Sequence, residues 1–299
     1  MVKNKVSILM NGHNAARYLR SAISSIYSQS YEHWELIYID NSSDDNTREI
    51  INEFDNRIKY VETNEKLPLG RARNYGLNYC DGEYLAFLDT DDVWLDDKLQ
   101  KQVEVFQQNE SLGLCYGGFN IINENGEIIK TSCKNGIKIE KVDSLIHSYD
   151  INMQTVMIRN SKKFSFNEDF EFAEDYEAFL KVVCQKKALR LGTVLANYRI
   201  HNTNISRLLK RKWAGELRDS INSLQEFSKG KISSNAIAKG YAKADYYEAR
   251  FELEDNNNNF LASKLLLKNG LIDFRYLILG LIALMPRHLW LRLHRLKML

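Results

Sequence analysis

The chain has 299 residues, 44% of them hydrophobic and 27% charged, the profile of a folded globular protein, which excludes a disordered or fibrous chain. Its net charge of +2 hides a split: residues 201–299 carry 17 Lys and Arg against 9 Asp and Glu, whereas residues 1–200 carry 24 against 30, so an anionic surface is the expected partner of the C-terminal part. Four scattered cysteines, Cys80, Cys115, Cys133 and Cys184, form no CxxC pair, which argues against a zinc site or disulfide framework and for a reducing compartment. The apolar run near the N-terminus is too short for a signal peptide, so a cytoplasmic location is expected.

In chain order, "VSILM" (6–10) reads as a buried strand. Leu19, Ile23 and Ile26 then share one helix face, in a segment with Asn14 as its N-cap. "ELIYI" (35–39) is the next strand, and "SSDDNTREIINEF" (42–54) a helix whose acids suit its N-terminus. "IKYV" (58–61) is a third strand, "GRARNYGLNYC" (70–80) a helix weakened by Gly76, and "YLAFL" (84–88) a fourth strand. Leu99, Val103 and Phe106 mark the following helix. The alternation predicts an α/β fold with a mostly parallel, Rossmann-like sheet flanked by helices. From about residue 113 the pattern changes to strands around a turn at Asn125-Gly126, with another strand at 154–159. Residues 207–228 and 233–254 read as helices, broken by "EDNNNN" (254–259).

In parallel sheets ligands sit beyond the carboxyl ends of the strands. Three polar clusters fall there: "NGHN" (11–14), "DNSSDD" (40–45) and "DTDD" (89–92). If the backbone stays extended past Leu88, Asp89 and Asp91 point the same way and can hold Mn2+ or Mg2+ with positions left for phosphate oxygens. Taken alone, "DTDD" reads as a solvated acidic turn with Asp92 capping the next helix. Neither GxxxxGK[ST] nor GxGxxG occurs, so a nucleotide here would need a metal and side chains for its phosphates.

Together, "VSILMNGHNAARYLRSAISSIYSQSYEHWELIYIDNSSDDNT", "RARNYGLNYCDGEYLAFLDTDD" and "FAEDYEAFLKV" resemble, in order and spacing, successive blocks of the family 2 glycosyltransferases, in particular bacterial enzymes of surface-polysaccharide synthesis. The resemblance runs from residue 5 to about 206. It implies a GT-A catalytic domain over 1–206, a nucleotide-sugar donor, a divalent metal and an inverting displacement; the region over 207–299 reads as helical from its own pattern. By the same resemblance, Asp91 is a metal ligand and Asp89 contacts the ribose or sugar, with the role of Asp92 less defined. Asp40 lies near base and ribose. Asn41 stands where the family often has a second Asp reading uracil, and Asn11 and His13 where it often has Pro and Tyr. Arg71 and Arg73 approach the nucleotide or diphosphate. Asp175 is the general base, Glu174 touches the acceptor, and His201 is a candidate to complete the metal site. Trp94 would stack on a sugar or anchor the following helix in the core.

"FRYLILGLIALMPRHLWLRLHRLKML" (274–299) is apolar from Tyr276 to Met285, too short to span a bilayer. Arg287, Arg292, Arg295 and Lys297 then alternate with Leu and Trp290. The pattern suits a helix lying on the inner face of the cell membrane, beside a polyprenol-linked acceptor, or one packed on protein. Nucleic acid is a poor fit. Three functions follow: glycosyl transfer from a UDP-sugar, a non-catalytic nucleotide-sugar-binding scaffold, and nucleotidyl transfer.

Overall fold

The computed structural model describes residues 1–202, 210–286 and 290. The chain divides into two units, one of residues 1–141 and 150–202, the other of residues 142–149 with those from 203 onward. Residues 203–206 and the cations Arg287, Arg292, Arg295 and Lys297 lie outside the described residues.

The first unit is built on a ten-stranded mixed sheet. In chain order come β1 (Val2–Gly12), α1 (Ala16–Tyr27), β2 (Trp34–Asp40), α2 (Thr47–Ile51), β3 (Ile58–Glu62), α3 (Leu69–Leu77), β4 (Gly82–Phe87), β5 (Val93–Trp94), α4 (Lys98–Gln108), β6 (Leu112–Ile122), β7 (Ile128–Ser132) and β8 (Lys138–Glu140). After α5 (Val142–Leu145), which belongs to the second unit, follow a 3-10 turn (Met153–Thr155), β9 (Met157–Arg159), α6 (Glu174–Gln185) and β10 (Lys187–Arg199). The main order is β3-β2-β1-β4-β9-β6-β10-β5. β3, β2, β1 and β4 are parallel, whereas β9 runs antiparallel to both β4 and β6.

Both faces of β1, β2 and β4 are covered along most of their length, which is why their inner stretches are largely apolar. Ile8, Met10, Leu36, Tyr84 and Ala86 share a buried cluster with Leu19, Ile23 and Ile26 of α1 and Leu99, Val103 and Phe106 of α4. On the other face Phe87 packs against Phe166 and Phe179. Gly76 is explained by α3 lying tightly on this face: a Cβ there would sit 2.4 Å from Leu9 Cδ1 and 2.8 Å from Ile39 Cγ1. The expected weak point is thus the position of closest helix-to-sheet approach.

Local details differ from the sequence reading. Asn14 has φ 55° and is no helix cap. Instead Asp45 Oδ2 accepts from Ala16 N at 2.9 Å and Thr47 Oγ1 from Ala15 N at 3.1 Å, so the β2–α2 loop caps α1. The helix expected over 42–54 shortens to 47–51 because residues 41–46 form that loop, with Ser42 at φ 62°. The strand expected at 154–159 is the 3-10 turn followed by three strand residues. The turn at Asn125-Gly126 joins β6 to β7, with Gly126 at φ 87°.

The described second unit is helical, with α7 (Lys210–Ser228), α8 (Ser234–Glu254), α9 (Asn259–Leu267) and α10 (Phe274–Ala283). Ala249, Leu253, Ala262, Leu266, Leu279, Ala283 and Trp290 form a core of its own.

Candidate active site

The parallel strands end level with one another, Gly12 beside Asp40 and Asp40 beside Glu62, and the polar clusters gather on this rim. β4 stops at Phe87. The backbone then turns rather than staying extended, with Asp92 N donating to Asp89 O at 3.3 Å. Asp89 and Asp91 therefore face different partners. Asp89 Oδ1 accepts from Arg73 at 3.0 Å, and its Oδ2 and backbone N–H both bind the Gln154 side chain, at 2.5 and 2.8 Å. Asp91 Oδ2 accepts from His201 Nε2 at 2.8 Å.

Arg73 is the hub of the cluster. Its guanidinium donates to Asp89 and to Glu174, and the side chains of Arg73 and Glu174 are 6% and 4% exposed. Burial works against its charge, but Asp89, Glu174 and Asp175 outweigh that and hold its pKa above the ordinary arginine value. Two links thereby join the 89–92 turn to the first turn of α6, where Glu174 and Asp175 also benefit from the helix dipole. Asp175 is half-buried, and its Oδ1 accepts from Tyr176 N at 2.6 Å. Arg73 is enclosed by carboxylates rather than open toward a diphosphate. Arg71 points elsewhere: it pairs with Glu168 at 3.3 Å and lines a groove of about 880 Å³ with Asn74, Tyr75 and Lys162, a lining that includes none of Asp89, Asp91 and Asp92.

The other acids are buried to different degrees. Burial, then the charge of Asp89, pushes the Asp91 carboxyl above its usual range, while the His201 hydrogen bond pulls the other way. Asp92 is fully buried. Its Oδ1 accepts from Arg199 N at 2.7 Å, and Oδ2 has no partner among the described residues. Desolvation, reinforced by Asp91 and Asp89, raises Asp92 well above the carboxylate range, so a neutral acid fits there. Asp92 supports the turn and does not cap α4.

The β1 and β2 residues form the neighbouring wall. Asp40 is 2% exposed; it accepts from Tyr60 Oη at 2.5 Å and Ser43 N at 2.9 Å. The Asn41 amide pairs with both main-chain groups of Leu67, at 2.8 Å each. Asp40 and Asn41 thus hold the loops around them. His13 is exposed, and its Nδ1–H donates to the carbonyls of Asn41 and Ser42 at 3.1 Å, which leaves a ring face open. Asn11 is half-buried on β1. Gly12 is required by crowding: a Cβ would lie 2.5 Å from Tyr38 Oη and 2.9 Å from Thr90 Cγ2.

Trp94 is a core residue, 1% exposed, with Nε1 donating to Gln154 O at 2.8 Å, so it offers no sugar platform. Two residues at the site carried no sequence signal strong enough to select them. Gln154 opens the segment read as a strand, where nothing marks it as a partner for Asp89. Arg199, two residues before His201, straps the turn through Asp91 O, Asn123 O and Glu124 O. Tyr18 then packs on both, 4.7 Å from the Arg199 guanidinium and 5.4 Å from the His201 ring.

The rim thus pairs a positioned carboxylate at a helix start with a carboxylate–imidazole pair at a strand end. The sequence model of Glycosyl transferase family 2 matches residues 7–170, more than half of the chain. The chain belongs to that family. This glycosyltransferase is 34% identical over 215 residues, 70% of its length and 83% of the relative's, to the UDP-Glc:alpha-D-GlcNAc-diphosphoundecaprenol beta-1,3-glucosyltransferase WfgD of Escherichia coli. It is 32% identical over 250 residues, 79% of its length and 94% of the relative's, to the O-antigen biosynthesis glycosyltransferase WbnJ of Escherichia coli. Its fold matches the crystal structure of residues 1–349 of S. aureus TarS in complex with UDP-GlcNAc, with a TM-score of 0.71 and 15% identity, covering 98% of this chain and 92% of that one. The mannosyltransferase PcManGT from Pyrobaculum calidifontis, in complex with GDP-Man and Mn2+, matches with a TM-score of 0.57 over 93% of this chain and 83% of that one, at 15% identity. The glycosyltransferase therefore has the GT-A fold and is related to enzymes of polysaccharide biosynthesis. The scaffold and nucleotidyl-transfer readings gain no support from these relatives.

Proposed function

We propose that this glycosyltransferase moves a sugar from a UDP-sugar to a hydroxyl of a glycan, carried on a polyprenol diphosphate at the inner membrane face, by one in-line displacement with inversion. The observation that carries the proposal is the Asp89–Arg73–Glu174 chain, which ties the start of α6, where Asp175 lies, to the 89–92 turn. The relatives' names, which specify UDP-Glc and a diphosphoundecaprenol acceptor or O-antigen synthesis, supply the donor and acceptor classes.

A sugar hydroxyl is a weak nucleophile near neutral pH. Asp175 accepts its proton as the glycosidic bond forms, and the carbon–oxygen bond to the diphosphate breaks on the opposite face. Arg73 and Glu174 act as positioning residues for this step rather than as diphosphate contacts. Asp40 and Asn41 act in the same manner on the base pocket, by pinning the 41–46 and 63–67 loops, while the His13 ring offers a stacking face to the base and Asn11 lies alongside. Asp89 lies close enough to the turn to meet the ribose or sugar once Arg73 and Gln154 fix its carboxylate.

The donor set suits Mn2+ or Mg2+. Asp91 resists ionisation where it stands, which a neighbouring cation would reverse. Among the described residues no group of three or more His, Cys, Asp or Glu is arranged to hold a metal. Asp91 would hold the cation through oxygen, the ligand type both cations prefer, and His201 would add a nitrogen. His201 Nε2 donates to Asp91 here, so as a ligand it would give up that proton. When bound, the cation neutralises charge on the leaving diphosphate.

The test is UDP release from a panel of UDP-sugars with a diphospholipid-linked acceptor. Asp175→Asn should lower turnover by about 10²–10⁴-fold while donor binding persists. Undiminished turnover removes the base assignment, and a product with retained anomeric configuration removes the single displacement.

A further inference from the structure

The outward face of α10 is apolar. Phe274, Leu277, Ile278, Leu281, Leu284 and Met285 recur at helix-face spacing, and all are exposed, Phe274 at 70% and Leu281 at 55%. Leu271, in the turn before the helix, is fully exposed as well. The opposite face is already occupied. Leu279, Gly280 and Ala283 are buried, a Cβ on Gly280 would lie 2.6 Å from the Leu267 side chain, and Ser263 Oγ donates to Gly280 O at 2.8 Å. The exposed stripe is thus surplus to the core of this unit. Contiguous apolar surface of this kind marks a contact with something else.

Charge selects the occupant. Arg275 is neutralised by Asp273, but beyond it, to Leu299, the sequence holds Arg287, Arg292, Arg295 and Lys297 and no acidic residue. Lys264 is exposed on the preceding helix, and Lys268, on the turn that follows, is engaged with Asp245 at 2.9 Å. A symmetric contact with a second copy would set this cationic stretch against itself. An anionic bilayer matches both the stripe and the cations. No helix among the described residues is long and apolar enough to cross a membrane, and ten residues of helix reach only about 15 Å, so the matching geometry lies in the membrane plane.

We propose that α10 beds its Phe274–Leu277–Ile278–Leu281 stripe in the headgroup boundary of an anionic bilayer. This proposal rests on the reading that the enzyme works at a membrane, and specifies the surface by which it does so.

The experiment is flotation of the full chain with phosphatidylcholine vesicles with and without phosphatidylglycerol, beside the double variant Leu277→Ser/Leu281→Ser. The wild type should float with the anionic vesicles and more weakly with the neutral ones. The double variant should bind at least about ten-fold less tightly, with its thermal midpoint unchanged because both leucines are exposed. Phe274→Ser, at the helix start, should act in the same direction by a smaller factor, and it serves should the double variant unfold early. Equal vesicle binding by wild type and variants overturns the proposal. So does a wild type that ignores vesicles and forms a dimer dispersed by the same substitutions. Turnover of a UDP-sugar on a water-soluble acceptor, measured in parallel, separates the two readings: vesicle binding without turnover in the wild type sinks the catalytic reading alone.

Discussion

Arg73 holds Glu174 across a gap of a hundred residues in sequence, and both side chains are almost wholly buried. Replacing one partner leaves an uncompensated charge inside the protein. Arg73→Ala should therefore cost about 3–5 kcal/mol of stability, read by urea unfolding. Arg73→Lys keeps the charge but cannot make two directed contacts from one planar group. It should recover part of the stability while turnover stays low, because the α6 start is no longer fixed against Asp89. Full turnover in Arg73→Lys would mean that charge alone suffices there.

Asp91 gives a metal-linked prediction that needs no turnover. Mn2+ together with UDP should raise the thermal midpoint of the wild type, since a ligand at about a hundred times its Kd adds about 2.7 kcal/mol. In Asp91→Asn the Mn2+-dependent part of that shift should vanish, and in His201→Ala it should shrink. Calorimetry reads both. An unchanged Mn2+ response in Asp91→Asn would move the cation to other residues.

Much of this site could be read from the sequence, because parallel strands announce themselves as apolar runs and their polar ends lie on one edge. Asp89 and Asp91 stand out for that reason, whereas Asp175, at a helix start, enters only through the family resemblance. What the sequence could not give was the partner of each group. Arg73 looks like a phosphate ligand until its two carboxylates are seen, and Asp40 and Asn41 look like ligand readers until Tyr60, Ser43 and Leu67 are found on them. Periodicity reports which face is buried, not which distant polar group arrives there. The same limit hid Gln154 and Arg199, whose roles depend on contacts 65 and 107 positions away. Asn14 had the residue type of a cap, but its left-handed backbone handed that job to Asp45.

That exchange makes Asp45 a sensitive position on the rim. Its carboxylate accepts from Ala16 N at the start of α1 and from Thr47 N and Oγ1 at the start of α2. Burial opposes its charge, yet these hydrogen bonds prevail and lower its pKa. A carboxyl depressed in the folded state contributes stability above its unfolded pKa and loses it as pH falls through the folded value. Asp45→Ala should cost about 0.5–2 kcal/mol near neutral pH, the range for a lost cap, and the difference from wild type should narrow in acid. Because the same loop carries the Asn41 and Ser42 carbonyls that hold His13, donor affinity should weaken with it. A loss of stability with donor affinity intact would uncouple the cap from the base pocket.

Lys98 is fully buried under the sheet, its Nζ 2.8 Å from Gln102 Oε1 and 4.0 Å from the centre of the Trp94 ring. Burial lowers its pKa to about 7. The unfolded chain keeps the proton up to the ordinary lysine value, so between these two points unfolding takes up a proton and stability rises with pH. Below the folded pKa the ammonium is charged in both states and the cost of burying it is complete. Lys98→Met, close in length and without charge, should therefore stabilise the protein by a few kcal/mol below about pH 7, with a gain that shrinks toward about pH 10. Gln102 keeps its donations to the Cys115 and Thr155 carbonyls at 3.0 and 2.9 Å, so the variant takes a donor from two acceptors, Gln102 Oε1 and Val156 O, but orphans no donor. Urea unfolding of both proteins at about pH 6 and about pH 9 measures the difference. A gain equal at the two pH values would show that packing against Trp94, not the proton on Lys98, governs this part of the core.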